Sequence, residues 1–386
     1  MKVIKSILYS FRDLIIRFLP DLKNKREYKF AFLVHPRNTS DVFRKYPGLK
    51  ILPKKWLEKF LTFYWPVTLS KITGLKSIAT GKSLYGFIIT IPLTARQMME
   101  NRQLALRKII QGTKLAEKLG ARLIGLGGLT SSLSKGGLDL LEKININVTT
   151  GHAYTAYNVT QTFLKLVEIL NANKSKIIVA VVGATGSVGS TSAKLIARAG
   201  FNRIILIDLE RKKHFFADLI DEIKKLNPNS IITTSHQIQD IKSADFIITA
   251  TNAPEATIRS DDLKSGAVVI DDAQPSDVAQ DVLVRPDVLV VEAGVVHTPD
   301  ILSHFNFNLK DRHDNFCCLA EVLILAAHEW NSHYVINRAS LQLVDEISTM
   351  GRKLNFRIGE FQNFLEKISD EKIDIIRKII KKIDVN

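Results

Sequence analysis

Short apolar runs and longer stretches of three-and-four spacing take turns along this chain, and that exchange predicts its architecture. KFAFLV, YGFIITIPL, RLIGL, IIVAVV, RIILIDL, DFIITAT and AVVIDD are runs rich in β-branched or aromatic residues, nearly continuous in apolar character and bounded by turn residues, so they predict buried strands. A long helix is predicted through RQMMENRQLALRKIIQGTKLAEKLG, stopping at Gly120, where a glycine cap is expected. Another runs from about Tyr154 to Leu170, and NFCCLAEVLILAAHEW is apolar enough for burial between domains. Strands alternating with helices predict an α/β fold.

The two ends follow a different pattern. Val3, Ile4, Ile7, Leu8, Phe11, Leu14, Ile15, Phe18 and Leu19 recur at helical spacing, with Lys2, Lys5, Arg12 and Arg17 elsewhere on the wheel. Such a basic amphipathic helix suits either peripheral membrane contact through residues 1–20 or packing on its own domain, and periodicity does not separate the two. EKISDEKIDIIRKIIKKIDV predicts a second basic amphipathic helix that caps the fold.

The most specific local feature is VVGATGSVGSTSAKLIARAG, which follows one apolar strand and opens into a helix. Gly183 allows a tight turn, Gly186 lets the backbone approach a pyrophosphate, and Gly189 lets helix and strand pack closely. Gly183, Ala184, Thr185, Gly186, Ser187, Val188 and Gly189 are therefore expected to bind a dinucleotide, together with Asp208 and Thr251 at later strand ends. An acid at Asp208 accepts from ribose hydroxyls and repels a 2′-phosphate, which favours NADH. Arg211, Lys212 and Lys213 follow closely and suit a phosphate, so the nicotinamide form stays open.

These elements set out a Rossmann-type doubly wound parallel sheet plus an N-terminal α/β substrate domain, with basic amphipathic terminal helices. The expected divisions are a helix at 1–27, the substrate domain at 28–170, the dinucleotide domain at 176–293, an interdomain segment at 294–358 and a terminal helix at 359–386.

The net charge of +15 adds an attraction to acidic partners or anionic surfaces. The basic residues follow no nucleic-acid-binding motif, so no nucleic-acid partner is expected. The two cysteines, Cys317 and Cys318, are adjacent and point about 100° apart on a helix, which excludes a disulfide framework and favours a reducing, cytoplasmic setting. The nine histidines form no ligand-spaced cluster, so no metal is expected. The run MKVIKSILYSFRDLIIRFLP lacks a small-residue cleavage site and is not expected to be a signal peptide.

SLYGFIITIPLTARQMMENRQLALRKII, RLIGLGGLTSS, TTGHAYTAY, VAVVGATGSVGS, AGVVHT and NFCCLAEVLILAAHEW lie in the same order as in the long-chain acyl-[acyl-carrier-protein] reductases, which this chain resembles from about Phe30 to Ile358. The resemblance implies reduction of a fatty acyl thioester, carried by acyl carrier protein or coenzyme A, to the aldehyde. It implies NADPH as cofactor and places Cys318 on the nucleophile position. A thiol is a fitting acceptor, because exchange between thioesters is nearly balanced and leaves the carbonyl activated. With Asp314 as the helix cap, both cysteines fall in or beside the first turn, where the dipole favours a thiolate.

An oxyanion formed during reduction needs donors, and the candidates are Thr130, Ser131, Ser132, His152, Tyr154 and Tyr157, with His152 favoured for its near-neutral titration. Each has a structural alternative as a helix cap or a packed ring. His297 is a further, positional candidate. The competing function is a shikimate-type or amino-acid dehydrogenase without a covalent step, for which Lys82, Arg102 and Lys108 are the available cations. A cofactor-sensing module without catalysis is the third reading.

Overall fold

The computed structural model describes residues 2–16, 18, 27–253 and 255–385. The chain opens with α1 (Lys2–Ile16), β1 (Lys29–Val34), α2 (Thr39–Lys45), α3 (Lys54–Phe63), β2 (Val67–Ile72) and β3 (Tyr85–Thr90). It continues through α4 (Ala95–Glu100), α5 (Arg102–Lys118), β4 (Leu123–Leu126), α6 (Leu129–Ser132) and β5 (Asn147–Thr149). Next come α7 (His152–Leu170), β6 (Ile178–Val182), α8 (Ser187–Arg198), β7 (Arg203–Ile207), α9 (Phe215–Leu226), β8 (Ile231–Ser235) and β9 (Phe246–Thr249). After β10 (Val268–Asp271), α10 (Gln280–Leu283), β11 (Leu289–Glu292), β12 (Val295–His297) and β13 (Asp314–Phe316), the chain ends with α11 (Cys317–Ala327), α12 (Leu341–Lys353), β14 (Arg357–Ile358) and α13 (Asp370–Val385).

Two compact units result, one comprising 1–151, 298–338 and 349–356, the other 152–297, 339–348 and 357–386. The fold is the expected mixed α/β type with parallel sheets. In the first unit the strands run β2-β3-β1-β4-β5, all parallel except β2. Helix α11 lies against β1 and β4, where a Cβ on Gly125 would stand 2.1 Å from Val322 Cγ2, so only glycine allows the approach. Ala105, Ile109 and Ala116 of α5 pack with Leu33, Ile89 and Ile124 in this unit's core.

The long helix expected up to Gly120 is two helices. Asn101 interrupts it, its side chain accepting from Leu104 N at 3.0 Å to cap α5. The stop itself is as expected, with Gly120 at φ +85°.

The second unit holds a six-stranded parallel sheet in the order β11-β10-β9-β6-β7-β8. The chain leaves β6 toward β7 and β8, then returns to the other side of β6 with β9, which makes a crevice at the carboxyl ends of these strands. Val179, Val181, Leu206, Phe246 and Ile248 fill one face with Phe163 and Phe201. Helix α7, read from sequence with the first domain, contributes Val159, Phe163, Leu166 and Leu170 to this core, and α13 adds Ile373 and Ile376.

Helix α1 meets β2 through a buried polar contact, and Ile16 at its end packs on the core. Asp13, fully buried, accepts from Thr68 N at 2.6 Å and pairs with Arg12 at 2.5 Å. Residues 1, 17 and 19–26 of the expected terminal helix lie outside the described residues. Among the described residues no helix is long and apolar enough to cross a membrane.

Candidate active site

Each unit carries one half of the expected chemistry. In the second, β6 turns at Gly183 with φ +78°, where a Cβ would meet the Ala250 carbonyl oxygen at 2.6 Å as the loop passes the end of β9. A Cβ on Gly189 would lie 2.3 Å from the Gly183 carbonyl oxygen, which is how closely α8 is pressed onto the loop. Gly183 N and Ala184 N both donate to the Ile207 carbonyl, at 2.9 and 3.0 Å, and Gly186 N donates to Gly183 O. Helix α8 then opens at Gly186 with no side-chain cap, so the N–H groups of Ser187, Val188 and Gly189 begin it while Gly186, Ser187 and Val188 are part-exposed. Uncapped first-turn N–H groups and the positive helix end suit a phosphate anion. The Ser187 hydroxyl accepts from Ala339 N at 3.1 Å.

Asp208, expected to accept from a ribose hydroxyl, is held here by the glycine loop. Its carboxylate accepts from Thr185 N at 2.9 Å, Thr185 Oγ1 at 2.6 Å and Leu209 N at 2.8 Å, and pairs with Lys212 at 3.1 Å. Burial pushes its titration up, but the Thr185 hydrogen bonds and the Lys212 charge outweigh this and hold it below the usual carboxylate range. The group closes the glycine loop onto β7.

Thr251 is fastened from below. Its Oγ1 donates to Asp277 at 2.5 Å and its N–H to the same carboxylate at 3.2 Å. Asp277 also accepts from Thr249 Oγ1, and Asp271 accepts from Ser276 Oγ at 2.7 Å and Asp277 N at 3.0 Å. Burial, followed by the Asp277 charge, pushes neighbouring Asp272 up to about 8. The acidic run after β10 is therefore a built network under the crevice.

In the first unit, α11 begins at Cys317, and its cap position is Phe316 with an extended backbone and no side-chain hydrogen bond. Asp314, expected as the cap, belongs instead to β13. The cysteines occupy the first two helical positions, with Cys317 buried in the core and Cys318 part-exposed. Gly151, at φ +79°, is stacked on Cys318: an added Cβ would lie 2.4 Å from both its Cα and its Cβ.

Two groups that sequence reasoning missed hold this corner. Glu321, one turn after Cys318 and fully buried, accepts from Thr149 Oγ1 and from Gly151 N at 3.1 Å. Its signal was a lone acid in an otherwise apolar helix, which burial permits only with donors present. Thr150 Oγ1 is buried and has no hydrogen-bond partner among the described residues.

The GGLTSS hydroxyls are largely committed to their own turn. Thr130 Oγ1 donates to Gly127 O at 2.8 Å and Ser132 Oγ to Leu129 O at 3.3 Å, while Ser131 is buried. His35 holds the turn, its Nε2 accepting from Leu129 N at 3.2 Å and its Nδ1 lying 3.0 Å from Pro36 O. Burial pushes this imidazole below its ordinary range.

His152, Tyr154, Tyr157 and His297 fall in the second unit. His152 follows Gly151 directly and starts α7; burial pushes its imidazole down to about 4, which removes the near-neutral titration for which it was favoured. Tyr154 is buried with its ring 5.7 Å from that of Tyr157, which is half-buried. His297 ends β12.

Comparison with known proteins agrees with the dinucleotide half. Residues 165–293 match the family model of shikimate / quinate 5-dehydrogenase. The chain is 25% identical over 367 residues to the aminotransferase PigE of a Serratia species, covering 89% of this chain and 41% of that protein. It thus spans less than half the length of this relative. It is 26% identical over 282 residues to the long-chain acyl-[acyl-carrier-protein] reductase of Synechococcus elongatus, covering 69% of this chain and 79% of the reductase. Among solved structures, quinate dehydrogenase from Corynebacterium glutamicum in complex with NAD aligns with TM-score 0.33 and 12% identity, over 84% of this chain and 98% of that one. The chain thus carries a dehydrogenase-type Rossmann domain and has a distant relative among acyl-thioester reductases.

Proposed function

We propose that this protein is an NAD(P)H-dependent reductase that transfers a long-chain acyl group from a carrier thioester to Cys318 and releases the fatty aldehyde. The observation that carries the reading is the contrast between the cysteines: Cys317 is buried, while Cys318 is part-exposed in the first turn of α11, against Gly151. The positive end of α11 favours negative charge at that sulfur. Its thiolate attacks the thioester carbonyl, the bond to the carrier sulfur breaks, and the carrier leaves as a thiol after taking a proton. The N–H groups of Ser187, Val188 and Gly189 would hold the phosphates of a reduced nicotinamide dinucleotide, which would supply the hydride that, with one proton, turns the Cys318 thioester into aldehyde and free thiol. Glu321 fixes the Thr149–Gly151 segment beside Cys318, and the Thr150 hydroxyl supplies an uncommitted donor there.

NADPH is the proposed form, since Asp208 is occupied by Thr185 and Lys212 and Arg211 stands exposed beside it. An acidic carrier protein suits the net charge of +15. The shikimate-type reading draws on the match over 165–293, but Lys82 and Arg102 are exposed and Lys108 donates to the Tyr64 carbonyl. Incubation with a long-chain acyl thioester, without nicotinamide, tests the proposal. An acyl mass adduct on Cys318 is expected; no adduct, with reductase activity intact in Cys318→Ser, leaves the non-covalent dehydrogenase in its place.

A further inference from the structure

Among the residues of α1 whose side chains are described, Ile16 packs on the core, but much of the apolar surface faces outward. The buried side of α1 carries Ser10 and Asp13, while Leu8, Phe11 and Ile15, which share one face, are each about 60% exposed. Helix α3 buries Leu57 and Leu61 and leaves Trp56, Phe60 and Phe63 on its outer side, Trp56 at 72% and Phe63 at 78% exposure. Ile51 in the preceding turn is also exposed. The two helices are linked through the residues that follow α3. Trp65, just past α3, donates from Nε1 to the Ser10 carbonyl of α1 at 3.2 Å, and Tyr64 bridges from Trp65 to Phe60 with ring centroids 4.2 and 5.2 Å apart.

Eight exposed residues of large apolar type are not explained as scattered single exposures: Leu8, Phe11 and Ile15 line one face of α1, Trp56, Phe60 and Phe63 line one face of α3, and Phe18 and Ile51 lie close by in the chain. The chemistry around them names the occupant. Lys50, Lys54, Lys55 and Lys59 are exposed around the α3 residues, and the first 63 residues hold fifteen lysines and arginines against five acids. A second copy of this chain would bring the same positive charge to the contact and be repelled. Side chains this exposed, including a tryptophan, beside the exposed lysines of α3 match what inserts among headgroups of an anionic bilayer.

We propose that α1 and α3 together dock the first unit on an anionic phospholipid membrane surface, with Leu8, Phe11, Ile15, Trp56 and Phe63 entering the headgroup layer. The inference does not rest on the proposed reaction.

Flotation of the 386-residue chain with phosphatidylcholine vesicles, with and without phosphatidylglycerol, tests it. Binding is expected only with phosphatidylglycerol and weakens as salt is raised. Trp56→Ser/Phe63→Ser and Phe11→Ser/Ile15→Ser each lower partitioning roughly ten-fold or more. Lys54→Glu/Lys55→Glu/Lys59→Glu abolishes the preference for phosphatidylglycerol. All these positions are exposed or half-exposed, so far-ultraviolet dichroism and melting stay at the parent values. A blue shift of emission on vesicle addition, lost in Trp56→Phe, reports entry of that ring. The proposal is overturned if the parent chain does not float, if both apolar double variants float as it does, or if the patch instead mediates a dimer or holds an acidic carrier protein in the absence of vesicle binding.

Discussion

Gly151→Ala tests whether Cys318 is held in place by this corner of the fold. The added methyl carbon would sit 2.4 Å from Cys318 Cα and Cβ and 3.1 Å from its carbonyl oxygen. Two of these are backbone atoms at the start of a buried helix, so no flexible side-chain tip can swing aside. The φ of +79° adds about 1–2 kcal/mol for a left-handed alanine. Overpacking adds about 1–3 kcal/mol, for a total of about 2–5 kcal/mol. For units of this size that corresponds to a fall in melting midpoint on the order of 4–20 °C. Gly81→Ala is the control: its φ is +70°, yet nothing lies within 4 Å of the added carbon, so only the backbone cost of about 1–2 kcal/mol applies. The assay pairs thermal melting with the rate of acyl-adduct or iodoacetamide labelling at Cys318, read by mass, with buried Cys317 as internal reference. Gly151→Ala is expected to melt lower than Gly81→Ala and to label Cys318 at least roughly ten-fold more slowly, because the methyl covers its Cβ. Equal melting of the two variants, with parental labelling of Cys318 in both, would refute the reasoning.

The remaining predictions concern buried polar groups. Thr150→Val replaces a hydroxyl without a partner among the described residues by a methyl, so stability holds or rises while aldehyde formation falls about 10- to 100-fold; a proportional loss of both would make the residue merely structural. Asp208→Asn loosens the glycine loop by about 1–3 kcal/mol at neutral pH. Because its carboxyl titrates below the usual range when folded, the stability difference in urea melts is complete above the unfolded value of about 3.9 and disappears as pH falls through the folded one. Asp272 titrates at about 8 when folded, so the native state binds the extra proton and its contribution weakens as pH rises from about 4 to 8. Asp272→Asn therefore gains on the parent across that window and equals it below; a constant difference would rule out the buried, protonated acid. His152, pushed down to about 4, shows no NMR titration between pH 5 and 8, and a midpoint near 6.5 would contradict its burial.

Parallel strands buried on both faces announce themselves as apolar runs, which is why β1, β3, β4, β6, β7, β9 and β10 were legible and the antiparallel β2 was not. Its Thr68 and Ser70 are buried only because Asp13 accepts from Thr68 N and the Ser70 hydroxyl donates to Ser303 O, contacts that no local pattern contains. The break at Asn101 was hidden for the opposite reason: one capping side chain is averaged away in a window that counts apolar spacing. Asp208 stood where expected, but its use depends on Thr185, in another turn. The choice between the cysteines came from resemblance, since the period of α11 marks no inner face; in the structure Cys317 is buried while Cys318 is part-exposed against Gly151.

Asp13 and Glu321, both in the first unit, carry the same lesson. A carboxylate in an apolar pattern reads as the outward side of a helix, yet both are fully buried because Thr68 N, Thr149 Oγ1 and Gly151 N donate to them. Periodicity reports that a helix has two faces. Which face turns inward is decided by where the polar exceptions find donors, and in α1 that choice sends Leu8, Phe11 and Ile15 outward.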